Sequence, residues 1–264
     1  MDLRFHKMHG LGNDFVVIDA RESDVAIGEA DARALADRRT GIGCDQVILI
    51  GAGSDTDVTM RIWNADGSEV SACGNATRCV PVLVGRDVSI RTAAGVLHAR
   101  LAGDGAEVDM GAPRFDWDAI PLAYAMDTRA MPVGWEALES PAAVNVGNPH
   151  LVFFVADAQA IPLETLGPEI EHDPLFPERI NVNVATILSR DHLVMRTWER
   201  GAGLTRACGT GACATFAAGR RLGLLDGHVR LDLPGGTLHL AESERGHLMM
   251  SGPATHVFTG EIRL

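Results

Sequence analysis

The chain has 264 residues, with 35 Asp plus Glu against 23 Lys plus Arg and a formal net charge of −12. That length suits one large domain or two of about 130 residues, and it can bury roughly 70–75% of the unfolded surface without help from a disulfide or a metal. The acidic balance argues against a nucleic-acid partner, which needs clustered positive charge.

The opening "MDLRFHKMHG" has no continuous apolar run and no small-residue cleavage site, so it reads as a first strand and not as a secretory signal. Nothing later approaches the ~18 consecutive apolar residues of a membrane span. No membrane association is expected, and the five cysteines, an odd number, fit the reducing cytoplasm. Lys7 is the only lysine of the chain. A pyridoxal enzyme needs a lysine Schiff base and a Walker loop needs Gly-Lys-Ser/Thr, so no cofactor is expected.

Short Val- and Ile-rich runs follow, most of them ending in Gly, Asp or Asn: "DFVVID", "DQVILI", "VTMRIW" and later "HLVMRTW". They predict strands. "EADARALADRR" before Thr40 predicts a helix, as does the alanine-rich "TGACATFAAGRRLGLL". "NATRCVPVLVG" predicts a helix that Pro81 kinks or ends early.

Met60–Gly74, "MRIWNADGSEVSACG", aligns without a gap to Met195–Gly209, "MRTWERGAGLTRACG", 135 positions later. The same offset pairs Asn13 with Asn148 and Gln46 with Asn181. After a small length change, "GVLHARL" at Gly95 resembles "GTLHLAE" at Gly236. One offset serving separated segments indicates a duplicated domain. The expected fold is α+β: two homologous, mainly antiparallel β domains, each wrapped around a central helix, related by a pseudo-two-fold axis with the active site in the cleft. The expected boundaries are 1–116, joined by a returning strand at 254–264, and 117–253.

In each half a cysteine, Cys73 or Cys208, stands directly before a helix start. Unpaired amides and the positive dipole end there lower a thiol pKa toward neutrality and offer Gly74, Asn75, Gly209 and Thr210 as carboxylate binders. Two such thiols on one α-carbon form an acid–base pair: one removes the α-proton, and the other returns a proton to the opposite face. A lone cysteine is more often a small buried side chain. Cys44, which has no partner in the other half, is read that way, as are Cys79 and Cys213, turned away around their helices. No metal-site spacing is present, so no metal is expected.

Asn13, Asn148, Gln46 and Asn181 are amides at strand ends, each of which alone would be an ordinary turn residue. Asn64 pairs with Glu199, and Ala65 with Arg200, which breaks the symmetry. Glu199 and Arg200 can grip a zwitterionic end of a ligand, or form a surface ion pair worth about 0–1 kcal/mol. For His150 the buried reading and the proton-transfer reading stand equal.

The stretches "HGLGNDF", "NADGSEVSACGNATR", "GNPH", "NVNV" and "ERGAGLTRACGTGA" resemble the diaminopimelate epimerase family and occur in the family's order. The resemblance implies interconversion of LL- and meso-2,6-diaminopimelate without pyridoxal phosphate, on the route to lysine and peptidoglycan. Cys73 and Cys208 would carry the reaction, with His150 and Glu199 adjusting the thiols. Substrate contacts would fall on Asn13, Gln46, Asn64, Gly74, Asn75, Asn148, Asn181, Glu199, Arg200, Gly209 and Thr210. A homodimer is implied as well. The alternatives are another cofactor-independent racemase of proline or hydroxyproline type, with the same thiols, and a thiol redox or binding protein.

Overall fold

A computed structural model describes residues 2–70 and 73–263. The pairing of Ala72 with Ala207 therefore lies outside the described residues. Contacts divide the chain into two compact units, Met1–Asp109 with Ser251–Leu264, and Met110–Met250.

The first unit runs β1 (Asp2–Gly10), β2 (Asn13–Asp19), α1 (Glu29–Ala36), β3 (Gln46–Ala52), β4 (Val58–Asn64), β5 (Glu69–Val70), α2 (Gly74–Val84), β6 (Val88–Thr92), β7 (Gly95–Ala102) and β8 (Gly105–Asp109). β2 and β3 pair in parallel, and their runs Phe15–Ile18 and Val47–Ile50 are buried on both faces. Such strands read as continuous apolar stretches, not as alternating ones. α2 packs against β1, β7 and β8. Pro81 does not end this helix, which runs on to Val84. It stops at Gly85, whose φ of 78° is the left-handed conformation favoured after a helix, with the Gly85 amide bonded to the Pro81 carbonyl at 2.8 Å.

The second unit runs β9 (Gly134–Trp135), β10 (Leu138–Glu139), β11 (Ala142–Asn145), β12 (Pro149–Phe154), α3 (Leu163–Glu171), β13 (Asn181–Ser189), β14 (His192–Glu199), β15 (Gly203–Thr205), α4 (Gly209–Arg221), β16 (His228–Leu233), β17 (Gly236–Glu242) and β18 (Leu248–Pro253). The last residues of β18 belong to the first unit, as does β19 (Thr255–Arg263), which pairs antiparallel with β1. α4 is buried along almost its whole length and packs against β11, β12, β13 and β17.

The pairing registers repeat between the units. Phe15 faces Gln46 and His150 faces Asn181; Val47 faces Trp63 and Val182 faces Trp198. All four residues of one set are moved by 135 positions in the other. Beyond the central helices the shift becomes 141, with Thr92 facing Gly95 and Leu233 facing Gly236. A one-residue slip would turn every side chain to the other face, so the shared register means that equivalent positions face equivalent ways. The fold is α+β, built from two homologous, mainly antiparallel units, each with a central helix.

Candidate active site

In the first unit, Cys73 is the N-cap of α2, with extended backbone (φ −148°, ψ 111°) and a half-buried side chain. Its carbonyl accepts the Thr77 amide at 3.0 Å, which closes the first helical turn. Gly74 and Asn75 follow as the first two helical residues, both buried. The thiol points to Asn13 Oδ1 at 3.8 Å, and Asn75 Nδ2 donates to the same oxygen at 3.2 Å. Asn13 Nδ2 in turn donates to Asp45 Oδ2 at 2.9 Å. An ionised carboxylate only accepts, so Asp45 orients the Asn13 amide with its oxygen toward the sulfur. Gln46 Nε2 donates to Asn64 Oδ1 at 3.0 Å across the β3–β4 pair, and Asn64 Nδ2 reaches Ser68 Oγ at 3.2 Å.

In the second unit, Cys208 is the N-cap of α4 with the same extended backbone (φ −126°, ψ 110°), and its carbonyl accepts the Ala212 amide at 3.0 Å. Gly209 and Thr210 open the helix. The Gly211 amide donates to the Cys208 sulfur at 3.3 Å, and Thr210 Oγ1 lies 3.4 Å from it. Cys208 is only 4% exposed. Here the structure corrects the sequence-based expectation of a lowered thiol pKa. Burial, and then the Glu199 carboxylate beside it, push the Cys208 thiol well above its ordinary range, against the weaker opposing pull of Thr210 and the Gly211 amide. Desolvation outweighs the helix dipole when the thiol is this deeply enclosed.

Glu199 ends β14 and also accepts the Thr205 hydroxyl at 2.5 Å. Arg200 begins a tight turn. Its amide donates to Asn181 Oδ1 at 2.9 Å, and its exposed guanidinium reaches the Glu178 carbonyl at 2.9 Å. Asn181 Nδ2 donates to the Pro149 carbonyl at 2.8 Å. His150 is fully buried, and burial, followed by the Arg200 charge, lowers its pKa to about 3. The ring is neutral, with Nε2 lying 2.9 Å from Asn148 Oδ1 and Nδ1 lying 3.1 Å from Asn183 Nδ2. Asn183 Nδ2 can only donate, so Nδ1 accepts and the proton sits on Nε2. His150 thus stands as a buried neutral ring that holds Asn148.

Of the sequence-predicted residues, Asn13 and Asn75 meet at the Cys73 thiol and Glu199 and Thr210 at the Cys208 thiol, whereas Gln46 bonds to Asn64, Asn181 to the Arg200 amide and His150 to Asn148. Cys79 and Cys213 lie buried in their helices, and Cys44 is buried too, as expected for packing residues. Burial pushes the Cys79 thiol up to about 12 and the Cys44 thiol up to about 11. Lys7 is ion-paired with Asp14 at 2.5 Å and bonded to the Gly43 carbonyl. Among the described residues, no group of three or more His, Cys, Asp or Glu stands where it could hold a metal ion.

Asp45, Asn183 and Thr205 escaped the sequence reading. Asn183 carried a usable signal, because it lies two residues beyond Asn181 on the same strand face. Asp45 adjoins Gln46, but nothing in the sequence says that it reaches Asn13.

A family model for diaminopimelate epimerase matches residues 5–115 and 142–257. The chain belongs to the diaminopimelate epimerase family. It is 64% identical to the diaminopimelate epimerase of Zymomonas mobilis over 262 residues, covering 99% of this chain and 97% of that one. The diaminopimelate epimerase of Rhizorhabdus wittichii is 62% identical over 265 residues, covering 100% and 97%. A probable proline racemase from Agrobacterium radiobacter has the same fold at 14% identity, with a TM-score of 0.71 over 99% of this chain and 93% of that one. So does a PhzF-family phenazine biosynthesis protein of Bacillus anthracis, at 15% identity with a TM-score of 0.71 and full coverage of both chains. Membership makes the chain an isomerase of the racemase and epimerase type. No helix among the described residues is long and apolar enough to cross a membrane.

Proposed function

We propose that this chain interconverts LL- and meso-2,6-diaminopimelate by a two-thiol mechanism with Cys73 and Cys208 as the proton carriers. The observation that carries the reading is the repeated placement of the two cysteines, each the N-cap of the central helix in a unit whose strand registers match the other's. Family membership supplies the substrate.

The α-carboxylate binds to the amides of Gly74, Asn75, Gly209 and Thr210, where the helix starts favour negative charge. One thiolate removes the α-proton and becomes a thiol, while the other thiol gives its proton to the opposite face and becomes a thiolate. The mirror-image centre results, and the reverse reaction restores both groups. Charge building on the carboxylate in the transition state meets preorganised dipoles. The raised Cys208 thiol makes that residue the resting acid and leaves the resting base to Cys73. Burial, and after it Glu199, keeps Cys208 protonated, so Glu199 tunes the reaction as well as meeting the substrate ammonium group. Asn13, Gln46, Asn64, Asn148, Asn181 and Arg200 hold the remaining polar groups, with His150 fixing Asn148.

The protein acts in the cytoplasm as a homodimer, on the route to lysine and peptidoglycan precursors. Its five free thiols fit a reducing compartment, and the exposed Val257 and Phe258 on β19 offer apolar surface for a second copy. Incubating the protein in deuterated water with diaminopimelate and, separately, with proline tests the substrate. Deuterium should enter the α-position of diaminopimelate, and deuterium entering only proline would end the assignment.

A further inference from the structure

The second unit contains a buried carboxylate that the proposed reaction does not use. Glu171 closes α3 and is 3% exposed. Its Oε2 accepts the indole N–H of Trp198 at 2.7 Å, and its Oε1 accepts the backbone N–H of Gly201 at 3.0 Å. Those two donors flank Glu199 and Arg200 in the chain. Glu171 therefore clamps both ends of the short segment that presents the ammonium- and carboxylate-gripping groups. Its nearest cation is Arg179, 3.8 Å from Oε1 and itself 54% exposed. Charge-assisted bonds to the turn hold most of this carboxylate, and such bonds are the stronger kind.

Other contacts make the clamp stiff. The Ala202 amide closes the turn on the Glu199 carbonyl at 3.0 Å. α3 approaches so closely that a Cβ added at Gly167 would come within 2.5 Å of the Trp198 ring. The first unit lacks this device. There the position equivalent to Glu171 is Ala36, and Arg33 Nε of α1 holds the equivalent turn by its Asp66 carbonyl at 3.0 Å. The holding group has the opposite sign, on a turn that carries Asn64 and Ala65 in place of Glu199 and Arg200. The clamp goes with the asymmetric pair, not with the general fold.

We infer that Glu171 is a positioning residue that sets where Glu199 and Arg200 stand, and through them the recognition of the zwitterionic end of the substrate. This rests on the reading of the site given above. Glu171 itself touches no substrate.

Glu171→Gln keeps the volume but must aim an amide N–H2 at one of the two N–H donors. The variant should raise KM for diaminopimelate by about tenfold or more, since bonds to a charged group are lost, and the pH profile of kcat should shift, because the displaced Glu199 stands against Cys208. Exchange of the Gly201 amide with solvent should quicken, and the melting transition should remain cooperative. Wild-type KM in a folded variant would overturn the inference, as would a fall in apparent kcat, with KM unchanged, that merely follows the loss of folded protein. Should Glu171→Gln not fold, Trp198→Phe removes one donor and keeps most of the ring, with an expected rise in KM of about threefold. Wild-type KM there would overturn the inference too. Failure of the wild type to exchange the α-proton of diaminopimelate would refute the substrate reading alone, and Gly201 amide exchange in the variant would still decide whether the clamp exists.

Discussion

The carboxylate of Glu199 stands against the thiol of Cys208, and with burial it holds that thiol protonated well above the ordinary cysteine range. Replacing Glu199 by Gln removes a like charge from beside the thiolate. The pKa of Cys208 should therefore fall. Following thiolate absorbance against pH in a Cys73→Ala background would show the midpoint moving down; an unmoved midpoint would mean that burial alone sets it.

His150 gives a prediction of opposite sign. Its folded pKa is lowered to about 3 from the ordinary 6.5, so its stabilising effect is fully present above 6.5. Below that pH the unfolded chain takes up a proton that the folded chain refuses, and stability falls as pH falls through the window from 6.5 to 3. The slope from this one group is about 1.4 kcal/mol per pH unit. Urea titrations of the wild type and His150→Gln between pH 7 and pH 4.5 should show the slope reduced in the variant. Ring ¹⁵N shifts should report a neutral, Nε2-protonated imidazole throughout that range.

Cys44 tests the alkaline side. Burial raises its pKa to about 11 from 9.0, so its contribution is whole below the unfolded value and is lost as pH rises toward 11. Cys44→Ala should flatten the decline of stability above about pH 9 by up to one proton's worth of slope. It also costs about 1 kcal/mol at neutral pH for the atoms removed. Thermal melting at pH 7, 9 and 10 separates the two effects.

Much of this arrangement could be read from the residues. The offset that pairs Cys73 with Cys208 also predicts that His150 faces Asn181 wherever Phe15 faces Gln46, and both pairs are found. Cysteine before glycine marked both helix starts. The early end expected at Pro81 is not found, because a helix can tolerate a proline near its last turn and Gly85 supplies the stop. The direction of the Cys208 shift was not legible, since it depends on how deeply α4 is enclosed, which is a tertiary property. Glu171 was hidden for the same reason: its donors, Trp198 and Gly201, are far away in the chain and are brought to it only by the packing of α3 on β14 and the turn that follows.

Gly211 sits where α4 passes close to the buried Asn183 amide. A Cβ there would meet Asn183 Oδ1 at 2.5 Å, Thr197 Oγ1 at 3.2 Å and the Cys208 Cβ at 3.3 Å. Gly211→Ala should cost about 1–3 kcal/mol through overpacking. It should also slow turnover by displacing the sulfur and the Asn183–His150–Asn148 chain together. Denaturant melts alongside steady-state kinetics would check both; a variant with unchanged kcat would mean that the sulfur tolerates movement.

The central claim is that two sulfur atoms handle one proton site from opposite faces. It is tested most directly by α-proton exchange in deuterated water, with Cys73→Ala and Cys208→Ala each supplied with LL- and with meso-diaminopimelate. The account predicts that neither variant completes inversion in either direction. Normal turnover both ways by either variant would contradict it.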